Sequence, residues 1–231
     1  MSLFELLYLP SFDPLLFSAG GSDIVVAWYL PTGIVAADCL GAYRFKGAAS
    51  EAVSLVNLVT PGTYDLTKGG SPTWNISTGW TFNGSNNYLE TGLDPANTWT
   101  ALCQYTNAVT NEGALFGVDT VDYIYFFFMP ILVTNHCYAN CVDNRVFVSG
   151  NKTAGNACLT YNQGYFDGLA DGDPLGTDGF SSTGSTIALG CAKQGTSKVN
   201  YSSVKIQAFA IYNKTLTAAQ ILSVATAMAA F

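Results

Sequence analysis

Short apolar runs separated by polar, glycine-rich clusters make up most of the chain. Candidate strands fall at residues 24–30, 40–45, 80–82, 88–91, 98–105, 114–118, 123–128, 145–149, 157–162, 164–166, 186–191 and 204–212. They are rich in β-branched and aromatic residues, and turn formers sit between them, a spacing that predicts an all-β sandwich or jelly roll. The stretch "TGWTFNGSNNYLETGL", residues 78–93, reads as a β-hairpin. Asn83-Gly84 supplies the positive φ of its turn, and Trp80 and Phe82 alternate into the core. The run "YIYFFFMPILV", residues 123–133, is shorter than the ~20 residues of a membrane span and is broken by Pro130, so it reads as a strand buried on both faces or one turning into a second.

Helical periodicity enters only near the end, in "TLTAAQILSVATAMAAF". Thr217 is placed as an N-cap with Gln220 three residues later, the spacing of a capping box. Ile221, Val224, Ala225 and Met228 then share one face, which predicts a short amphipathic helix packed on a sheet.

Composition narrows the function classes. The chain has 231 residues, 49% apolar and only 11% charged, which suits one large all-β domain or two small ones. A formal charge of −7, with no Lys or Arg before Arg44, argues against nucleic acid, which needs a basic track. The six cysteines lack paired zinc knuckles and there is a single histidine, His136, so zinc is not expected. Either Cys137 pairs with Cys141 or the cysteines are buried free thiols. The opening "MSLFELLYLPSFDPLLFSAGG" lacks a basic start and carries Glu5, Pro10, Asp13 and Pro14, so it reads as mature protein rather than a leader. Residues 1–33 are expected to form an apolar arm or an added strand ahead of a domain over 34–231. Their many Leu and Phe side chains need cover, either on their own sandwich, with "DIVVAWYL" as an edge strand, or on a neighbour. The second route is favoured and predicts a homo-oligomer or larger assembly.

From Leu40 to Phe231 the motifs "LGAYRFKG", "GWTFNGSNNYLETG", "TWTALCQYTN", "ALFG", "NQGYFDGLADG", "IALGC" and "VKIQAFAIYNKTLTAAQI" follow one another. In that order they resemble the laminin G-like, concanavalin A-like jelly rolls. "ADCLGAY", "GWTFNGS" and "VATAMAAF" are most similar to such domains in phage and environmental-virus structural proteins. The resemblance implies a two-sheet antiparallel jelly-roll sandwich with a short C-terminal helix.

Glycosidases on related jelly rolls use two carboxylates, commonly glutamates two positions apart on one strand. Glu5, Glu51, Glu90 and Glu112 offer no such pair, and His136 beside Cys137 reads as a loop histidine. The chain is therefore expected not to be an enzyme. Its expected role is a virion or surface structural or adhesion protein that binds a glycan or a neighbouring subunit, with a glycan-cleaving enzyme or a purely architectural decoration or fibre subunit as alternatives. Exposed aromatic rings would carry sugar binding, and Trp74, Tyr88, Tyr123 and Tyr165 lie near loops or strand ends. In "DGLADGDPLGTDG", Asp167, Asp171 and Asp173 form a candidate calcium site, although Asp-Gly pairs equally write plain turns, the favoured reading. Asn-x-Ser/Thr sequons at Asn75, Asn83, Asn151, Asn200 and Asn213 matter only in a glycosylating pathway.

Overall fold

The computed structural model describes residues 27–96, 98–109, 112–119, 125–131, 136–141, 144–149, 151–160, 163–171 and 183–231. In chain order the strands are β1 (Cys39–Arg44), β2 (Thr67–Gly69), β3 (Thr73–Asn75), β4 (Gly79–Asn83), β5 (Tyr88–Glu90), β6 (Thr100–Thr106), β7 (Phe116–Asp119), β8 (Tyr125–Met129) and β9 (His136–Cys141). They continue as β10 (Asn144–Ser149), β11 (Gly155–Leu159), β12 (Gly164–Phe166), β13 (Leu169–Asp171), β14 (Ala188–Leu189), β15 (Ala192–Gln194), β16 (Ser197–Val199) and β17 (Ser203–Tyr212). A one-turn helix α1 (Glu51–Ser54) follows β1, and α2 (Ala218–Met228) follows β17.

One sheet runs β13-β12-β11-β6-β17-β4-β3, with β1 also on β17. The other runs β10-β9-β8-β7-β14-β5-β2, with β15 and β16 attached beside β7. Pairing is antiparallel apart from Lys193 against Val118, where β15 meets β7. Between the sheets lie Tyr43, Phe45, Trp80, Phe82, Tyr105, Ile206 and Phe209 from the first, and Leu89, Phe116, Val118, Phe126 and Phe128 from the second. The rings of Phe116 and Phe209 meet with centroids 5.5 Å apart. Alternation along each strand sends every second side chain into this layer, as the spacing predicted. The fold is the expected all-β, two-sheet sandwich with a C-terminal helix.

The helix forms as its sequence dictates. Thr217 accepts from the Gln220 N–H while Gln220 returns to the Thr217 N–H, and Ile221, Val224, Ala225 and Met228 are the buried face. That face covers Leu102, Cys158, Ala208, Ala210 and Tyr212 on the outside of the first sheet, together with Trp28, Tyr29 and Ile34.

Four local expectations are corrected. Residues 78–93 are not a hairpin: β4 pairs with β3 and β17 in the first sheet, β5 with β2 and β14 in the second. The turn between them is an arch from one sheet to the other, which satisfies the same alternation because Trp80, Phe82 and Leu89 all reach the shared core. Residues 27–30 turn rather than extend. They pack on their own sandwich, where the Tyr212 hydroxyl donates to the Tyr29 carbonyl at 2.9 Å and the Tyr29 hydroxyl to that of Leu58 at 3.0 Å. His136 opens strand β9 opposite Ser149 instead of lying in a loop. Cys137 and Cys141 sit four residues apart on that one strand, ~13 Å at a rise of ~3.3 Å per residue, too far for a disulfide. Cys39, Cys103, Cys158 and Cys191 are buried free thiols.

Candidate functional site

The two sheets differ on their outer faces. The first is covered by α2, whereas the second bears a compact polar cluster built by strands distant in sequence. On β5, Leu89 points inward, so Tyr88 and Glu90 point outward. On β7, Phe116 and Val118 point inward, which leaves Asp119 outside. Glu90, Ala188 and Gly117 occupy one rung across β5, β14 and β7. The chain then reverses at Gly190, whose φ of +81° is left-handed and where a Cβ would stand 2.4 Å from the Phe82 ring, so only glycine fits. The returning hairpin β15–β16 folds over the outer face, with Ala192 and Val199 against Ala114, Phe127 and Met129.

That hairpin sets Lys193 directly opposite Lys198. Like charges at such a position repel. The Glu90 carboxylate bridges them, with Lys193 Nζ 3.3 Å from Oε2 and Lys198 Nζ 2.7 Å from Oε1. Lys193 also donates to Thr186 Oγ1 at 2.6 Å, and the Lys198 ammonium lies 4.7 Å from the centre of the Tyr88 ring. The three charged side chains are only 14–18% exposed. Burial works against the charge on Lys198, but its hydrogen bond to Glu90, the Glu90 charge and Tyr88 outweigh it and hold the ammonium above its ordinary range. Tyr201, beside Tyr88 and Lys198, has its phenol raised by burial. Cys191 is pushed up to about 12, by burial first and then by the Glu90 charge, so it is a neutral thiol. Burial also raises Asp119, against the lowering effect of its hydrogen bond from Gln194. The cluster therefore offers two ammonium groups against one carboxylate, with hydroxyls from Thr186 and Tyr201 beside them, on a protein whose net charge is −7.

The predicted ligand aromatics are not gathered in one place. Tyr88 alone joins this cluster, its ring drawn across Gly69, where a Cβ would come within 1.9 Å of Cζ. Trp74, on the edge strand β3, donates from Nε1 to the Phe45 carbonyl at 2.9 Å and packs against the core. Tyr165, on β12 near the opposite edge, packs into the layer under α2, and burial raises its phenol. Tyr123 lies outside the described residues. Of the candidate calcium ligands, Asp167 is exposed at a left-handed turn, φ +50°, and accepts from the Asn156 N–H at 2.8 Å. Asp171 closes β13, and Asp173 lies outside the described residues. Among the described residues no three His, Cys, Asp or Glu side chains cluster to hold a metal. Lys193, Lys198, Thr186 and Asp119 escaped the sequence reading. The visible signal was "AKQGTSKV", two lysines placed symmetrically about a glycine turn.

No family model matches the chain, and no curated protein does. Among solved structures it is similar to domain 4 of an extracellular GH43 arabinanase from Geobacillus stearothermophilus, in complex with arabinotriose, with 15% identity, a TM-score of 0.48, and coverage of 81% of this chain and 98% of that one. It is also similar to a Trypanosoma rangeli sialidase in complex with sialic acid, at 15% identity and a TM-score of 0.49, covering 84% of this chain and 33% of that one. A NanB sialidase mutant from Streptococcus pneumoniae matches at 12% identity and a TM-score of 0.48, over 67% of this chain and 27% of that one. The chain thus spans nearly all of the arabinanase domain but only about a third of the sialidases. These matches are parts of proteins named for acting on glycans, and on that finding the expectation that the chain is not an enzyme is withdrawn.

Proposed function

We propose that the protein recognises a carbohydrate on the outer face of its second sheet, at Lys193, Lys198, Glu90, Thr186 and Tyr201. The observation that supports this most is the cross-strand lysine pair bridged by the half-buried Glu90 carboxylate. Sugars are bound by a few well-placed charged and hydroxyl groups, and here such groups are fixed on a rigid sheet and shielded from bulk water. The laminin G-like resemblance of residues 40–231 supports the same reading. Its phage and environmental-virus cast suggests a virion or other extracellular surface, where the apolar segment ahead of residue 27 would reach a neighbouring subunit, residues 27–30 being taken up by their own sandwich. A glycan array on the purified protein tests the proposal. It should identify a bound glycan whose affinity falls by about tenfold or more in Lys198→Gln, the cost of one charge-assisted hydrogen bond, with the melting temperature little changed. An array without a ligand overturns it.

A second reading, hydrolysis of that glycan, is favoured by one observation: two outward carboxylates in unlike surroundings, Glu90 on β5 and Asp119 on β7, both contact the β15–β16 hairpin. Asp119, raised by burial, is suited to give its proton to the leaving oxygen, while Glu90 is ion-paired with the lysines. Water would add across the glycosidic bond. If this reading holds, wild-type protein releases reducing ends from the bound glycan, and Asp119→Asn loses at least about a hundredfold in rate. Binding without release leaves recognition alone.

A further inference from the structure

We infer that the sugar held on the second sheet is anionic, with Lys193 and Lys198 taking its charged group; this rests on the carbohydrate reading above. The charge count is uneven. Two ammonium groups stand directly opposite each other on the hairpin, and among the described residues Glu90 is the only carboxylate paired with either. One positive charge is left over in a setting where the side chains are at most 18% exposed. Two half-shielded ammonium groups that share one carboxylate leave a local excess of positive charge, which a hydrogen-bonded anion would balance.

Donors also remain. Each ammonium carries three N–H groups. Those of Lys193 meet Glu90 and Thr186, and those of Lys198 meet Glu90 and the Tyr88 ring face. An added acceptor group can bridge the two ammoniums on the side away from Glu90, with the Thr186 and Tyr201 hydroxyls beside it for the sugar's own hydroxyls. Cys191 stays neutral and adds no competing charge. A neutral sugar would leave the surplus charge as it is, so the geometry points to a hexuronate or a sulfated sugar residue.

Titration calorimetry with three probes tests this: a hexuronate oligomer, the same oligomer as its methyl ester, and a sulfated galactan oligomer. At least one charged oligomer should bind about tenfold or more tightly than the methyl ester, and its affinity should fall as salt rises. Lys193→Gln and Lys198→Gln should each lose that advantage, whereas Glu90→Gln, which removes the internal competitor for the lysines, should bind the charged oligomer more tightly than wild type. Thermal melts identify any variant that fails to fold, and the remaining variant then decides. Tightest binding to the sulfated oligomer would assign a sulfate ester, and to the hexuronate a carboxylate. Equal binding of acid and methyl ester, both weakened by Lys198→Gln, overturns the anion inference and keeps the carbohydrate site. Charged binding that folded lysine variants leave unchanged overturns the inference as well. No binding by any probe, together with an array without a ligand, overturns both.

Discussion

Glu90 and Asp119 show how one residue type takes two characters on the same sheet face. Glu90 is surrounded by cations, while Asp119 is half-buried with a neutral amide from Gln194 as its hydrogen-bond partner. Burial is the larger influence on Asp119 and raises it above the ordinary aspartate value of 3.8. The folded protein therefore keeps this proton to a higher pH than the unfolded chain does. Between 3.8 and the raised value stability falls as pH rises, and above that window the full penalty of a desolvated carboxylate persists. Asp119→Asn keeps the hydrogen bond and removes the charge. Calorimetry should show a higher melting temperature for the variant at pH 7 and no difference below pH 3.8. A gain that is equal at both pH values would mean that ionisation is not its source.

Among the elements, the arch between β4 and β5 separates what local sequence can specify from what it cannot. Asn83 Oδ1 accepts from the N–H groups of Ser85 at 3.0 Å, Asn86 at 3.1 Å and Asn87 at 3.3 Å, and this turn chemistry was legible in "FNGSNN". Asn83→Ala leaves those donors to water, and we expect a loss of about 1–2 kcal/mol, read as a lower urea midpoint at unchanged slope. Whether the turn ends a hairpin or an arch is decided by strands far away in the chain, β17 for one arm and β14 for the other. Nothing within residues 78–93 encodes that choice. The helix, by contrast, was legible to the residue, because its cap and its apolar face are both written within a dozen positions. The polar cluster was hidden for the same reason as the arch. Its members come from β5, β7 and the β15–β16 hairpin, and only the assembled sheet brings Glu90 to Lys193 across 103 positions.

At the scale of the whole molecule, the first sheet is organised around β17. Its ten residues pair with β6 along one edge, and with β4 and then β1 along the other. Cys39 at the start of β1 lies against Tyr212 at the end of β17, so the earliest and latest strands among the described residues are neighbours. This arrangement has a consequence for how the protein is born. Until residues 203–212 leave the ribosome, β1, β4 and β6 have no common partner, Trp80 and Phe82 lack their neighbouring strand, and Phe116, Phe126 and Phe128 have no opposing Ile206, Phe209 or Ile211 to cover them. A chain arrested before residue 203 should be digested throughout by protease, whereas one extended past residue 231 on a linker should give a resistant core. Pairings of such long range place folding in the millisecond-to-second class. During synthesis the nascent chain carries its aromatic strands uncovered for several seconds at ~5–20 residues per second, and it would depend on chaperones that hold such segments until the last strand arrives.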